Sequence, residues 1–257
     1  LALHWRAGDA DRGGRFLARA SLGTRVSSAP ATLEDFGMLA GGLLALAVAT
    51  GEARYAVTAR ELVDACMEAA ASSRLPFAVP GGAEPLLVAQ GLALELDAAE
   101  GAYPSGLSAI GAAAFELYLV SGERGYLDAA EQAVAVVGRA AAERPLAYGA
   151  LLTLAARLQR PVVQLVSVVT DSVDADAPRA GAALLDVARE GAASVAFSIV
   201  VTEAQAAAFA DAGFELFAGR TARGQAASYL CEQFVCRLPV TDAAALTALL
   251  RRDPDLA

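Results

Sequence analysis

Two kinds of hydrophobic pattern alternate along the first part of this chain. Residues 36–50 are apolar at almost every position, bounded by Asp35 and Glu52. Such a segment predicts an inner helix buried on all faces. Residues 53–71 follow with another texture. Tyr55, Ala59, Leu62, Val63, Cys66 and Ala70 fall at helical spacing, while Arg54, Arg60, Glu61, Asp64 and Glu68 cover the other side. That pattern predicts an outer, half-exposed helix. The pair then recurs: residues 105–120 are predominantly apolar, and 125–142 set Leu127, Ala130, Val134, Val137 and Ala141 on one face. Pro145 is suited to open a further helix ending near Leu158.

The joints repeat as well. Ala49-Thr50-Gly51-Glu52-Ala53-Arg54-Tyr55 returns as Val120-Ser121-Gly122-Glu123-Arg124-Gly125-Tyr126. Apolar helix, Gly turn and amphipathic helix, written twice, predict helical hairpins, the unit of solenoids and α/α toroids. Thr32, with Asp35 three residues on, reads as a near capping box, and Gly51 as the stop of that helix. Residues 1–30 carry no sustained period and read as loop or partly extended chain. The stretch Ser73–Pro104, broken by Pro and Gly, is long for an inert connection and is expected to be functional or mobile. It lies at the end of the hairpins away from the Gly-Glu turns.

Beyond Arg160 the period changes from helical to extended. Residues 161–170 read as a buried strand, 177–190 as a helix, 194–201 as a second strand parallel to the first, and 203–211 as a short helix. Residues 214–218 read as a third strand, 226–231 and 237–240 as extended, and Asp242 as the cap of a last helix over 243–251. Strand–helix alternation means a small α/β layer. The expected organisation is mainly α: a partial α/α toroid over 1–160, then a small α/β subdomain over 161–257.

Composition narrows the chemistry. The chain has no lysine and no asparagine, and all 20 cationic side chains are arginines. Schiff-base lysine chemistry and a Walker-type phosphate loop are therefore excluded. The net charge of −9 argues against a nucleic-acid surface, which needs clustered cations. A single histidine, His4, removes His-rich zinc sites and paired-histidine schemes. No cofactor or metal is implied. The longest apolar run, Phe36 to Thr50, is shorter than the ~20 residues of a membrane span. With three cysteines and no secretory leader pattern, the expectation is a soluble cytoplasmic protein without a membrane partner.

Several residue groups are candidates for function. Glu34 and Asp35 open the first inner helix, where paired carboxylates serve as acid and base if they face a toroid pocket, or simply favour the helix dipole. His4-Trp5-Arg6 sets a sugar-face aromatic beside a cationic donor, with ordinary loop packing as the alternative. Tyr103-Pro104-Ser105 feeds a helix N-terminus, either as a hydroxyl or anion cradle or with Ser105 as a cap. Cys231-Glu-Gln-Phe-Val-Cys236 sets two thiols across a four-residue turn, within disulfide reach if the segment is a hairpin. Packed free thiols, a redox-sensitive pair and half of a shared metal site are the three readings. Cys66, on an inward helix face, reads as core.

Three segments carry a family likeness. Leu33-Glu34-Asp35-Phe36, Pro104-Ser105-Gly106 with Ser108, and Ser228-Tyr-Leu-Cys231-Glu-Gln-Phe-Val-Cys236-Arg-Leu-Pro-Val-Thr-Asp242 resemble the C-terminal portion of the spermatogenesis-associated protein 20-like family of thioredoxin-domain-containing proteins. The likeness runs in order over nearly the whole chain, and the Cys-x4-Cys tail is its most specific part. It implies a six-hairpin toroid similar to those of glycosidases and N-acylglucosamine 2-epimerases, with a thioredoxin-like domain in the full-length protein. This chain carries no Cys-x-x-Cys and fewer helices than a closed ring holds, so it is expected to be a C-terminal fragment whose uncovered apolar inner-helix surface implies self-association or a missing segment.

The sequence also departs from the family's pattern. Arg74-Leu-Pro-Phe-Ala-Val79 replaces an aromatic-rich turn, Ala89-Gln90-Gly91 a basic stretch, and Leu107 an asparagine. The resemblance with these departures leaves two readings. One is a non-catalytic or regulatory module that binds a ligand or docks a redox domain, with Cys231 and Cys236 facing the partner. The other is a carbohydrate-active enzyme acting on a sugar-like small molecule, with Glu34 and Asp35 as the acid/base pair and Trp5, Arg6, Tyr103 and Ser105 as binders.

Overall fold

The computed structural model describes residues 4–7, 15–27, 29–82, 85–91, 98, 100–171, 178–222 and 224–252. They are mainly helical, with one small mixed sheet and two short ladders. In chain order the elements are β1 (Trp5–Ala7), β2 (Arg15–Leu17), β3 (Ser21–Leu22), β4 (Arg25–Val26), α1 (Leu33–Thr50), α2 (Ala53–Ala69), α3 (Pro85–Ala89), α4 (Gly106–Ser121), α5 (Arg124–Glu143) and α6 (Gly149–Leu158). There follow β5 (Val163–Val169), α7 (Pro178–Gly191), β6 (Phe197–Thr202), α8 (Glu203–Asp211), β7 (Ala227–Glu232), β8 (Val235–Cys236) and α9 (Ala243–Arg252). The chain forms two compact units, one of Leu1–Gly42, Thr58–Phe115 and Gly125–Ala155, the other of Leu43–Val57, Glu116–Arg124 and Ala156–Ala257.

In the first unit, α1 and α4 approach backbone to backbone. A Cβ on Gly37 would lie 2.6 Å from the Ala109 carbonyl carbon and 2.7 Å from its Cβ, so only glycine permits this crossing. Phe36, Leu62, Phe77, Ile110 and Phe115 fill the core beside it. Within residues 1–30, expected as loop or partly extended chain, the described residues hold two short antiparallel ladders, β1 with β2 and β3 with β4. Pro145 starts a 3-10 turn over Pro145–Ala147, and α6 begins only at Gly149.

The second unit is built on a sheet of order β6-β5-β7-β8. β5 and β6 run parallel, joined through α7 as a parallel pair requires, and β7 returns antiparallel to β5. Every residue of β5 from Val163 to Val168 is buried, while β6 alternates buried and half-buried. Val163, Leu165, Leu184, Leu230 and Leu246 form the core cluster beneath α7 and α9. Ser167 and Ser228, cross-strand partners on β5 and β7, bond through their hydroxyls at 2.7 Å in complete burial.

Two expectations are corrected. Residues 214–218 do not form a strand: Glu215–Phe217 is a 3-10 turn. A strand would send Phe214 and Phe217 to opposite faces, whereas the turn sets both against Phe209, with ring centroids at 5.8 and 4.3 Å. Residues 237–240, expected as extended, run on beside β7 without forming a further strand: Arg237 N–H donates to Leu230 O at 3.0 Å and Val240 bridges Ser228. Finally, α1 is not buried on all faces. It covers Phe36, Ala40, Leu43, Leu44 and Ala47 but leaves Met38 47%, Leu46 39% and Val48 36% exposed. Its neighbours cover one side only, so uniform apolarity overstated its burial. By length and composition α1 is the one described helix apolar enough to cross a membrane, with 33% of it buried.

Candidate functional site

The two Gly-Glu turns share one construction. Thr50 and Ser121 each donate a hydroxyl bond to the carbonyl four residues back, Leu46 O at 2.8 Å and Leu117 O at 2.7 Å. Each hydroxyl also accepts the N–H two residues on, from Glu52 at 3.3 Å and Glu123 at 3.2 Å. Gly51 and Gly122 take φ of 70° and 75°, the left-handed cap that ends helices.

Within the second unit, each turn is met by a residue from the α/β part of the chain. Gln205 closes a capping box with Thr202 at the start of α8, and its Nε2 donates to Thr50 O at 3.0 Å. Phe234 packs edge-on against Tyr118, centroids 5.6 Å apart, with its ring over Gly122. Gln164, fully buried, donates to Leu119 O at 3.2 Å and accepts from Phe234 N–H at 3.4 Å.

Phe234 is the tip of the β7–β8 hairpin, and this hairpin is the candidate site. Gln233 and Phe234 have φ of 47° and 68°, the two-residue turn geometry that normally selects Asn and Gly. Cys231 and Cys236 are register partners with Cα atoms 3.8 Å apart, joined by a disulfide. The hairpin alternative for the Cys-x4-Cys segment is thus the one the structure adopts, and neither thiol is free. Cys231 is wholly buried, whereas Cys236 is half-exposed on the wall of an open groove of about 600 Å³. Pro161, Val162, Glu232, Gln233, Val235 and Arg237 complete the lining.

Sequence reasoning missed the group that gives this site its electrostatics. Arg220 donates to Cys236 Sγ at 2.9 Å and to Leu216 O at 3.1 Å. Its guanidinium lies over the Tyr229 ring, 5.2 Å from the centroid. Burial holds its pKa below the usual arginine value, partly offset by Tyr229 and Glu215. Val235, on the groove wall, and Leu238, which follows the lining residue Arg237 in the chain, stand 77% and 87% exposed, large apolar groups with no core role. No motif spacing ties residue 220 to residue 236, so only the fold reveals the pair.

The other predicted site residues are placed otherwise. Asp35 accepts from the Thr32 N–H at 2.8 Å and the Thr32 hydroxyl at 3.0 Å, and pairs with Arg19 at 3.3 Å. It is the capping box of α1, and its carboxylate is occupied there. Glu34 is half-buried in the same first turn. Trp5 is 7% exposed, edge-on to Phe36 at 6.2 Å and donating its indole N–H to Glu61 at 2.9 Å. A ring so placed is core and offers no open face to a sugar. Arg6 sits in β1 opposite Phe16, and its side chain lies outside the described residues.

Ser105 is buried and caps α4, accepting from Ser108 N–H at 3.2 Å, while Tyr103 stands 68% exposed. His4 bonds Ala18 O at 2.8 Å and Ser21 Oγ at 3.0 Å. The long segment 73–104 falls partly outside the described residues, but it contains a structural carboxylate unforeseen from sequence. Glu100 accepts from Ala150 N–H at 2.7 Å and Leu151 N–H at 3.0 Å at the start of α6, and from the Ser108 hydroxyl.

Cys66 is free and wholly buried, and burial pushes its thiol pKa well up. Among the described residues, no three His, Cys, Asp or Glu side chains gather as a metal cluster. No family model, no curated protein and no solved structure matches this chain.

Proposed function

We propose that this chain is a non-catalytic, regulatory partner-binding module. Its helical hairpins are read as part of an α/α toroid related to the C-terminal toroid of thioredoxin-domain-containing proteins, and its docking surface as the β7–β8 hairpin groove. The observation that carries the reading is the Cys231–Cys236 disulfide on a groove wall flanked by the exposed apolar residues Val235 and Leu238. Val235 and Leu238 are read as the apolar part of a protein contact. A disulfide in a cytoplasmic protein, the compartment expected from the sequence, is typically redox-active rather than structural. A thioredoxin-like domain satisfies both conditions as a partner.

The carbohydrate-active alternative draws no support from the geometry, since Asp35 is engaged as a helix cap and Trp5 as core. The exposed face of α1 favours self-association as a separate property, which sedimentation reads directly.

The docking test is calorimetric titration with a thioredoxin-fold domain whose two active-site cysteines are replaced by serine, so that only non-covalent contact is read. Binding that weakens at least about tenfold in Val235→Asp and Leu238→Asp, as loss of an apolar anchor should cause, supports the reading. No binding to the unmodified chain, or equal binding by both variants, overturns it.

A further inference from the structure

The hairpin also has the parts of a reaction site. We propose that Cys231–Cys236 is a thiol–disulfide exchange pair that a dithiol reduces stoichiometrically, with Cys236 as the sulfur attacked and Arg220 as the group that stabilises its thiolate. The proposal deepens the docking reading, since the same groove delivers the dithiol, but its chemistry is testable without any partner.

Access decides which sulfur reacts. Cys231 is fully buried, and only Cys236 lines the groove. A thiolate entering the groove attacks Cys236 Sγ, forms a mixed disulfide there and expels the Cys231 sulfur. Cys231 takes up the proton the incoming thiol lost, because a buried site favours the neutral thiol. The second thiol of the dithiol then attacks its own sulfur in the mixed disulfide, and Cys236 leaves as a thiolate. The balance is one dithiol oxidised to a disulfide and one hairpin disulfide reduced, with two electrons transferred. One proton stays on Cys231 and one is released.

The leaving Cys236 sulfur finds the Arg220 guanidinium already in place, 2.9 Å from it. An adjacent cation lowers a thiol's pKa and improves it as a leaving group. Arg220 is itself positioned by Leu216 O and by the Tyr229 ring, so the charge is held before reaction. Arg237, paired with Glu232 at 3.3 Å, lies on the same groove and has its charge offset.

The test uses single-cysteine chemistry in the full chain. In Cys231→Ser, the rate of Cys236 alkylation by iodoacetamide is followed against pH, with Cys236→Ser as the comparison. The expected midpoint for Cys236 lies below about 7.5, the range of thiols beside a cation. Adding Arg220→Gln should move it toward about 8.5, and Arg220→Lys should restore most of the shift. At equilibrium in a dithiothreitol redox buffer, the disulfide of the otherwise unaltered chain should be about tenfold more readily reduced than that of Arg220→Gln.

Buried Cys66 serves as the folding control, because it labels only where the chain has opened. If Arg220→Gln exposes Cys66, the decision passes to Arg220→Lys and to the Cys236 midpoint alone. An ordinary or raised Cys236 midpoint, faster labelling of Cys231 than of Cys236, or a midpoint indifferent to residue 220 overturns the proposal. Failure here with docking intact removes only the exchange chemistry, whereas loss of docking with exchange intact removes only the partner reading.

Discussion

Replacing Gly37 by alanine should loosen the first unit at one identifiable contact. The new methyl would sit 2.6 Å from the Ala109 carbonyl carbon and 2.7 Å from its Cβ, and closer still to Ile110 N. Two of these are backbone atoms of α4, which cannot rotate away as a side-chain end would. Overpacking costs about 1–3 kcal/mol, and a backbone clash belongs at the upper end. Against this, alanine gains about 1 kcal/mol over glycine in a helix interior. The net is a loss of about 2 kcal/mol, or a melting temperature lower by about 4–8 °C.

Gly42 supplies the matched control. It lies on the same helix with nothing within 4 Å of a Cβ, so Gly42→Ala keeps only the propensity gain and should melt about 2–4 °C higher. Thermal unfolding followed by circular dichroism at 222 nm reads both. Equal shifts of the two variants, or stabilisation by Gly37→Ala, would refute the claim that α1 and α4 cross in backbone contact.

Two further variants test the polar interior. Glu100→Ala strips the start of α6 of its carboxylate acceptor and should cost about 2 kcal/mol in urea denaturation, as hydrogen bonds to charged groups do. Ser167→Ala alone leaves the buried Ser228 hydroxyl without its partner and should cost about 1–3 kcal/mol, whereas the double change Ser167→Ala/Ser228→Ala should be close to neutral. Additive losses in that cycle would show that the 2.7 Å pair contributes nothing of its own.

Helices were legible in the sequence wherever one face differed from the other. The bounds of α2 and α5 follow their charged stripes, and those of α4 its capping Ser105 and terminal Gly122. Uniformly apolar segments were harder, because composition does not say how many neighbours a helix has. Thus α1 and α4 read alike, yet Leu46 of α1 is exposed and Leu117 of α4 is not. The third expected strand failed because Phe214 and Phe217 pack on one partner, a tertiary demand invisible to local pattern. Of the candidate site, the Cys231–Cys236 spacing was readable as a hairpin alternative. Arg220 was not, since its relation to Cys236 exists only after β8 has turned back along β7. Glu100 was hidden in the same way, its bonds reaching residues 150 and 151 from a Pro- and Gly-broken segment.

The meeting of Gln205 with Thr50 spans 155 positions of chain. Ribosomes add about 5–20 residues per second, so the carbonyl at the end of α1 waits roughly 8–30 s for its partner to be made. The second compact unit is assembled from Leu43–Val57, Glu116–Arg124 and Ala156–Ala257, so its earliest segment is also the last to be completed. Contacts of such long range fold slowly. During synthesis, then, the Thr50 carbonyl at the end of α1 stays without its Gln205 partner until 155 further residues have been made.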